Sequence, residues 1–116
     1  MMTKAIVIRP DKTVEEVDLD GYEAYSAVVD GYIEAVNLKF GTLYVNEEFL
    51  LGQFGPEDFN SIAGDVCGLG GRPDLMMTGI LGPTFLVGGV DDEGNDLDVT
   101  DSGRKAVEKV RREAVL

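Results

Sequence analysis

Two short stretches decide how this chain folds: Gly31-Tyr32-Ile33-Glu34-Ala35-Val36 and Leu43-Tyr44-Val45-Asn46-Glu47-Glu48. Both are rich in β-branched and aromatic residues, which pack well on a pleated surface. The turn-prone Lys39-Phe40-Gly41-Thr42 lies between them. The spacing predicts a hairpin in which about 32–38 pairs with about 43–47. Each strand carries a tyrosine closely followed by a carboxylate, so the hairpin gains a polar, aromatic-rimmed end.

Outward from that hairpin the pattern continues. Ala5-Ile6-Val7-Ile8, flanked by Lys4 and Arg9, reads as a strand buried on both faces. Pro10-Asp11-Lys12 supplies a turn, because proline presets φ and aspartate bonds the backbone two residues on. Residues 13–19 alternate, with Val17 and Leu19 on one face and Glu16 and Asp18 on the other. That predicts a first hairpin. Asp20-Gly21-Tyr22-Glu23 reads as a helix start, with Asp20 accepting an amide and Glu23 at the capping-box position. Ala24, Tyr25, Val28 and Val29 make its apolar stripe, and Gly31 is the expected left-handed stop. Gly55-Pro56-Glu57-Asp58 opens a short helix. Residues 64–90 are glycine-rich, with a β-prone end at Thr84-Phe85-Leu86-Val87-Gly88 that is expected to contribute a strand pair.

Thr100 is placed to cap a final helix of about 101–113, with Asp101 and Arg111-Arg112 suited to the two ends of its dipole. Its stripe of Ala106, Val107, Val110 and Ala114 is thin, which predicts loose docking. The fold class that follows is α+β. It is a single domain over 1–100, mostly an antiparallel sheet built from hairpins with two or three covering helices. A basic helix, 101–116, is appended to it.

The chain has 116 residues, one cysteine and no histidine. Its length suits one domain with a sizeable core. A lone Cys67 excludes an internal disulfide and four-cysteine zinc sites, and reads as a small buried apolar residue. Without histidine there is no Ser-His-Asp or Cys-His dyad and no histidine metal site. No apolar run reaches the roughly 20 residues that cross a bilayer. The start of the chain lacks the layout of a signal peptide, so the expectation is a cytoplasmic protein without a membrane partner.

Charge is the strongest compositional signal. Ten Lys and Arg stand against 22 Asp and Glu, for a net charge of −12. Residues 1–50 hold 4 basic and 10 acidic groups, and residues 51–103 hold Arg72 against 10 acids. The last 13 residues hold 5 basic and 2 acidic groups. Such a body repels a phosphate backbone, which argues against direct nucleic-acid binding, and favours encounter with basic proteins.

Several candidate sites can be weighed from residue type and spacing. Gly68-Leu69-Gly70-Gly71-Arg72-Pro73 resembles a phosphate cradle but lacks the Lys-Ser/Thr ending of a P-loop, so a flexible connection is the expectation. Arg72 is nonetheless the one basic residue between positions 40 and 103. The run Asp91-Asp92-Glu93-Gly94-Asn95-Asp96-Leu97-Asp98 misses the calcium-loop spacing and reads as a turn with Gly94 at its tip. Glu34 with Glu47 is the best carboxylate pair for acid–base work, although solvated carboxylates explain both. No catalytic residue, metal site or cofactor is assigned. The binding candidates are Tyr32, Glu34, Tyr44, Asn46, Glu47 and Arg72. Tyrosine suits recognition because it joins apolar area to a polar handle. The competing reading puts both rings over the sheet edge or core.

Lys4-Ala5-Ile6-Val7-Ile8-Arg9-Pro10-Asp11, Gly31-Tyr32-Ile33-Glu34, Leu43-Tyr44-Val45-Asn46-Glu47-Glu48 and Ile80-Leu81-Gly82-Pro83, in that order, resemble a small domain-of-unknown-function family of phages, prophages and mobile elements. The resemblance continues through Asn60 and Ile62-Ala63 to Phe85-Leu86-Val87-Gly88 and covers roughly residues 3–95. It leaves the final helix outside, and it departs from the pattern at Leu50-Leu51-Gly52-Gln53-Phe54 and in the long glycine-rich stretch from Gly64 to Met77. It implies a phage or mobile-element accessory protein and brings no catalytic residues with it. The functional expectation is a non-enzymatic protein that binds a host protein, a basic one by charge, to counteract a host process or defence. The alternative is a small-ligand, nucleotide-like binder using Tyr32 and Tyr44 for stacking and Arg72 for phosphate. Association of copies would supply Arg9 or Arg72 twice to such a site. An enzyme working through carboxylates alone is the third reading.

Overall fold

In the computed structural model, residues 2–48 and 55–114 are described. In chain order, β1 (Met2–Ile8), β2 (Val14–Asp20), α1 (Gly21–Val29), β3 (Ile33–Leu38) and β4 (Gly41–Asn46) come first. A 3-10 turn (Pro56–Asp58), α2 (Ser61–Leu69), α3 (Pro73–Thr78), β5 (Thr84–Val87) and α4 (Asp101–Ala114) follow. Both expected hairpins form. β1 pairs with β2 in the register Ala5 to Val17, and β3 pairs with β4 in the register Glu34 to Val45. The late strand β5 enters between them and pairs with β1 and with β4, giving the order β2-β1-β5-β4-β3 with every pair antiparallel.

That central position explains why Thr84-Phe85-Leu86-Val87 and Ala5-Ile6-Val7-Ile8 are buried at every residue. Alternation then sorts their side chains into two cores. Ala5, Val7, Phe85 and Val87 face α1, where Leu19, Tyr25 and Val29 join them. Ile6, Ile8, Leu43, Val45 and Leu86 face the other helices, against Ile62, Ala63, Val66, Leu75, Val107 and Val110. Each fully buried aliphatic side chain contributes about 1.5–3 kcal/mol. The molecule is thus an α+β domain in three layers, one helix above the sheet and three below.

Local details differ from the sequence reading. The second hairpin turns at Lys39-Phe40 alone, with Gly41 already in β4. A Cβ on Gly41 would lie 2.0 Å from the Val87 carbonyl oxygen, so only glycine lets β4 approach β5 here. The left-handed stop of α1 is Asp30 (φ 60), whereas Gly31 is extended and makes room for the Asn46 amide. Asp20 holds the N-cap position of α1 without a side-chain cap bond. The connection expected at Gly68–Pro73 narrows to Gly70-Gly71-Arg72, which joins two helices that the glycine-rich pattern did not announce. Asn60 caps α2 by accepting from the Ala63 amide, and Gly68 lets Met76 of α3 pack against α2. The strand pair expected at the end of residues 64–90 is β5, followed by a lone bridge between Val90 and Asp96. The final helix is capped by Thr100 as expected. It sits deeper than its thin stripe suggests, because Gly103, Val107 and Val110 are buried. Residues 50–54, where the family resemblance weakened, lie outside the described residues.

Candidate functional site

The pleat divides the six binding candidates. Tyr44 projects from β4 onto the α1 face, where its ring lies 5.6 Å from Tyr25 and 5.1 Å from Phe85, centroid to centroid. Its hydroxyl donates to Asp96 Oδ1 (2.7 Å) and the Tyr25 hydroxyl donates to Asp96 Oδ2 (2.9 Å). Burial and the Asp96 carboxylate push both phenols above their usual range. They hold their protons at neutral pH and act as donors that pin the 90–98 loop to the sheet. Asn46, 4% exposed, donates from Nδ2 to the Val29 and Asp30 carbonyls and accepts at Oδ1 from the Glu48 amide. Those bonds close the C-terminal end of α1. Tyr44 and Asn46 therefore build the fold.

Tyr32, Glu34 and Glu47 stay in solvent. The Glu47 amide donates to the Tyr32 carbonyl (2.9 Å), so these two residues are directly opposite. Glu34 sits diagonally across from Glu47 on the same sheet face, at a Cβ separation of about 7–8 Å. The two carboxylates neighbour one another without sharing a hydrogen bond.

Arg72 belongs to the other end of the hairpin. The Lys39 amide donates to the Gly70 carbonyl (2.9 Å), which fixes the glycine loop beside the Lys39-Phe40 turn. The length of β3, about 20 Å at its usual rise, separates that turn from Tyr32. The Arg72 guanidinium is held by Asp74 through two hydrogen bonds of 3.1 and 3.0 Å, which raises the Arg72 pKa and lowers that of Asp74. The structure does not bring Arg72 to the tyrosines.

What gathers around Tyr32 is a set that the sequence reading left out. Tyr22, in the first turn of α1, is 52% exposed and Tyr32, just past its end, is 66% exposed. An open groove of about 470 Å³ runs along α1 from Tyr22, lined also by Glu23, Ser26, Ala27, Asp30 and Gly31. Tyr32 follows Gly31 at the strand parity of Glu34 and Glu47, on the sheet face away from α1. The residues at 22, 26 and 30 follow the helical repeat and flank the Tyr25–Val29 stripe, about 80° around the helix from it. From Thr13 to Leu38 the chain carries seven carboxylates and no lysine or arginine. Glu15 pairs with Arg9 and Glu16 with Arg104, while Glu23, Asp30 and Glu34 stand near the exposed rings of Tyr22 and Tyr32, a combination that attracts guanidinium and ammonium groups. A second groove, of about 480 Å³, lies at the opposite end between the Lys39-Phe40 turn, Gly88-Gly89 and Thr100-Ser102, with Lys39 as its one charged residue.

Other reactive groups are placed structurally. Cys67 is buried between α2 and its neighbours, and desolvation pushes its thiol up to about 12. Asp91 accepts at Oδ1 from the Glu93 and Asn95 amides, forming the expected turn around Gly94. No cluster of metal-ligating side chains occurs among the described residues, and no described helix is long and apolar enough to cross a membrane.

No curated protein and no solved structure matches the chain. The model of a domain of unknown function, DUF3846, matches residues 2–111. That span takes in most of α4, so the helix that the sequence resemblance left outside the family pattern falls within it. It also contains both hairpins, the groove along α1 and the buried Tyr25–Asp96–Tyr44 set. The chain belongs to the DUF3846 family of domains of unknown function.

Proposed function

We propose that this domain is a non-enzymatic binding protein that captures a basic region of a partner protein. The partner is a host protein, and the setting is the cytoplasm of a cell carrying a phage or mobile element, where such capture blunts a host process. The observation that carries the reading is the groove along α1, lined by exposed Tyr22 with Glu23 and Asp30 and by no cation, with exposed Tyr32 directly after its Gly31 wall. The net charge of −12 draws basic partners over long range and repels nucleic acid and anionic membranes. Each exposed ring adds about 0.5–1 kcal/mol on contact with a guanidinium. Carboxylates alone would bind any cation; the rings add preference for arginine-bearing protein.

The test is affinity capture from host lysate at low and moderate salt, with Tyr22→Ala/Tyr32→Ala run beside the parent. The expected result is a basic protein retained stoichiometrically at low salt, weakened by salt, and weakened about tenfold by the double substitution. Equal retention by parent and variant would remove the groove from the account. The nucleotide-binding alternative finds no support in the placement of Arg72, which is engaged with Asp74 at the far end of the hairpin.

A further inference from the structure

The sheet has two edges, and they are treated differently. β2 carries Glu15, Glu16, Asp18 and Asp20 in seven residues, and Arg104 of α4 reaches across to Glu16 (Nε to Oε1, 2.7 Å). Repeated like charge and a strap of this kind are devices that keep another strand from adding. β3, Ile-Glu-Ala-Val-Asn-Leu, has none of them: no proline, no lysine and one acid.

The hydrogen-bond phase of β3 is fixed by two bonds. The Glu47 amide donates to the Tyr32 carbonyl, so Tyr32 bonds inward to its partner strand, and by antiparallel alternation Glu34, Val36 and Leu38 do the same. Ile33, Ala35 and Asn37 then direct their amides and carbonyls outward. The next residue in that phase, Lys39, confirms it, since its amide leaves the hairpin and donates to the Gly70 carbonyl. Among the described residues nothing else pairs with this edge, and Ala35 and Asn37 are exposed. The free edge is therefore five residues long, open beside Tyr32 and closed by the glycine loop at Lys39.

We infer that β3 receives an extended basic segment of a partner protein as a sixth, antiparallel strand. The inference rests on the reading of the domain as a binder of basic protein and names how the partner is held. Backbone pairing with Ile33, Ala35 and Asn37 supplies affinity without demanding a particular side chain. Charge sets the preference: the open end is flanked by Asp30, Glu34 and Glu47, with exposed Tyr32 beside them. In the antiparallel sense the C-terminal end of the incoming segment lies at Ile33, so its basic residues follow the paired stretch and meet those carboxylates and the ring. A second copy of this chain is a poor occupant, because it brings the same acidic end and the same net charge of −12.

The experiment titrates the isotopically labelled chain with a capped peptide of alternating valine and threonine ending in Arg-Lys-Arg. A second peptide is identical but N-methylated at alternate amides, which removes backbone pairing and keeps the charge. The expected result is amide shifts and new exchange protection at Ile33, Ala35 and Asn37, with the methylated peptide about tenfold weaker through loss of backbone hydrogen bonds. Ala35→Pro removes one outward amide at an edge position where proline is tolerated; it weakens the unmodified peptide similarly. Equal binding of the two peptides, with shifts along α1, overturns strand addition and leaves the basic-partner reading standing. Absence of binding by either peptide at low salt overturns both.

Discussion

Tyr32 and Tyr44 are the same residue type at similar places in one hairpin, yet the fold gives them opposite work. Tyr44 stacks on Phe85 and Tyr25 and bonds Asp96, a residue 52 positions further along the chain. Nothing in the hairpin's own sequence announces that partner, because the face Tyr44 occupies becomes a core only when β5 arrives beside β4. Tyr32 lies one residue outside β3 and keeps two-thirds of its surface in water. Tyr44→Phe should cost about 1 kcal/mol through the lost hydrogen bond, and Tyr44→Ala several times that. Tyr32→Ala should stay within about 0.5 kcal/mol of the parent. Urea unfolding curves of the three variants check the ordering. Cys67 adds a pH dependence. Its thiol titrates near 9 when unfolded and near 12 when folded, so above pH 9 the unfolded state sheds a proton that the native state keeps. Stability should fall as pH rises from 9 toward 12, with Tyr25 and Tyr44 adding to the fall above their ordinary value of 10. In Cys67→Ala the early part of that decline, between pH 9 and 10, should flatten.

Elements were legible wherever local chemistry and the tertiary environment agree. Alternation in β2 and the helical stripe of α1 each point to the face they bury. α2 was hidden because Gly64 and Gly68 weaken helix propensity and Gly70 follows at its C-cap; two of these glycines are there for close packing, Gly68 under Met76 and Gly70 against Leu38. Glycine for approach and glycine for flexibility look alike in a sequence. The stop of α1 was misplaced for a related reason: Gly31 is needed for Asn46, and Asp30 takes the left-handed turn. α4 was legible as a helix but not as a core element, since two valines suffice when both are buried. Val107→Ala should cost about 2 kcal/mol, from two lost methyl groups and the cavity they leave. A thermal midpoint unchanged by that substitution would show α4 to be loosely docked after all. The Arg104–Glu16 bridge contributes less, because both side chains are more than a third exposed.

At the scale of the molecule, the topology sets one acidic, aromatic end against one end that holds Lys39, Arg72 and the glycine loop. The −12 charge was plain in the composition. The share of it carried by Glu23, Asp30 and Glu34, along α1 and at the open end of β3, was half visible in the cation-free run from Thr13 to Leu38. Tyr22, which completes that end, carried no signal beyond its place on a helix face. Arg72 drew notice as an isolated cation, and the fold neutralises it locally with Asp74.

The central claim is that this end, and not the Lys39 end, is where a basic partner docks. Amide chemical-shift mapping of the full chain during titration with a capped arginine-rich peptide tests it most directly, repeated at moderate salt. The account predicts shifts at Tyr22, Glu23, Asp30 to Glu34 and Glu47, weakened by salt. Shifts centred on Lys39, Gly88 and Ser102, or none at low salt, would contradict it.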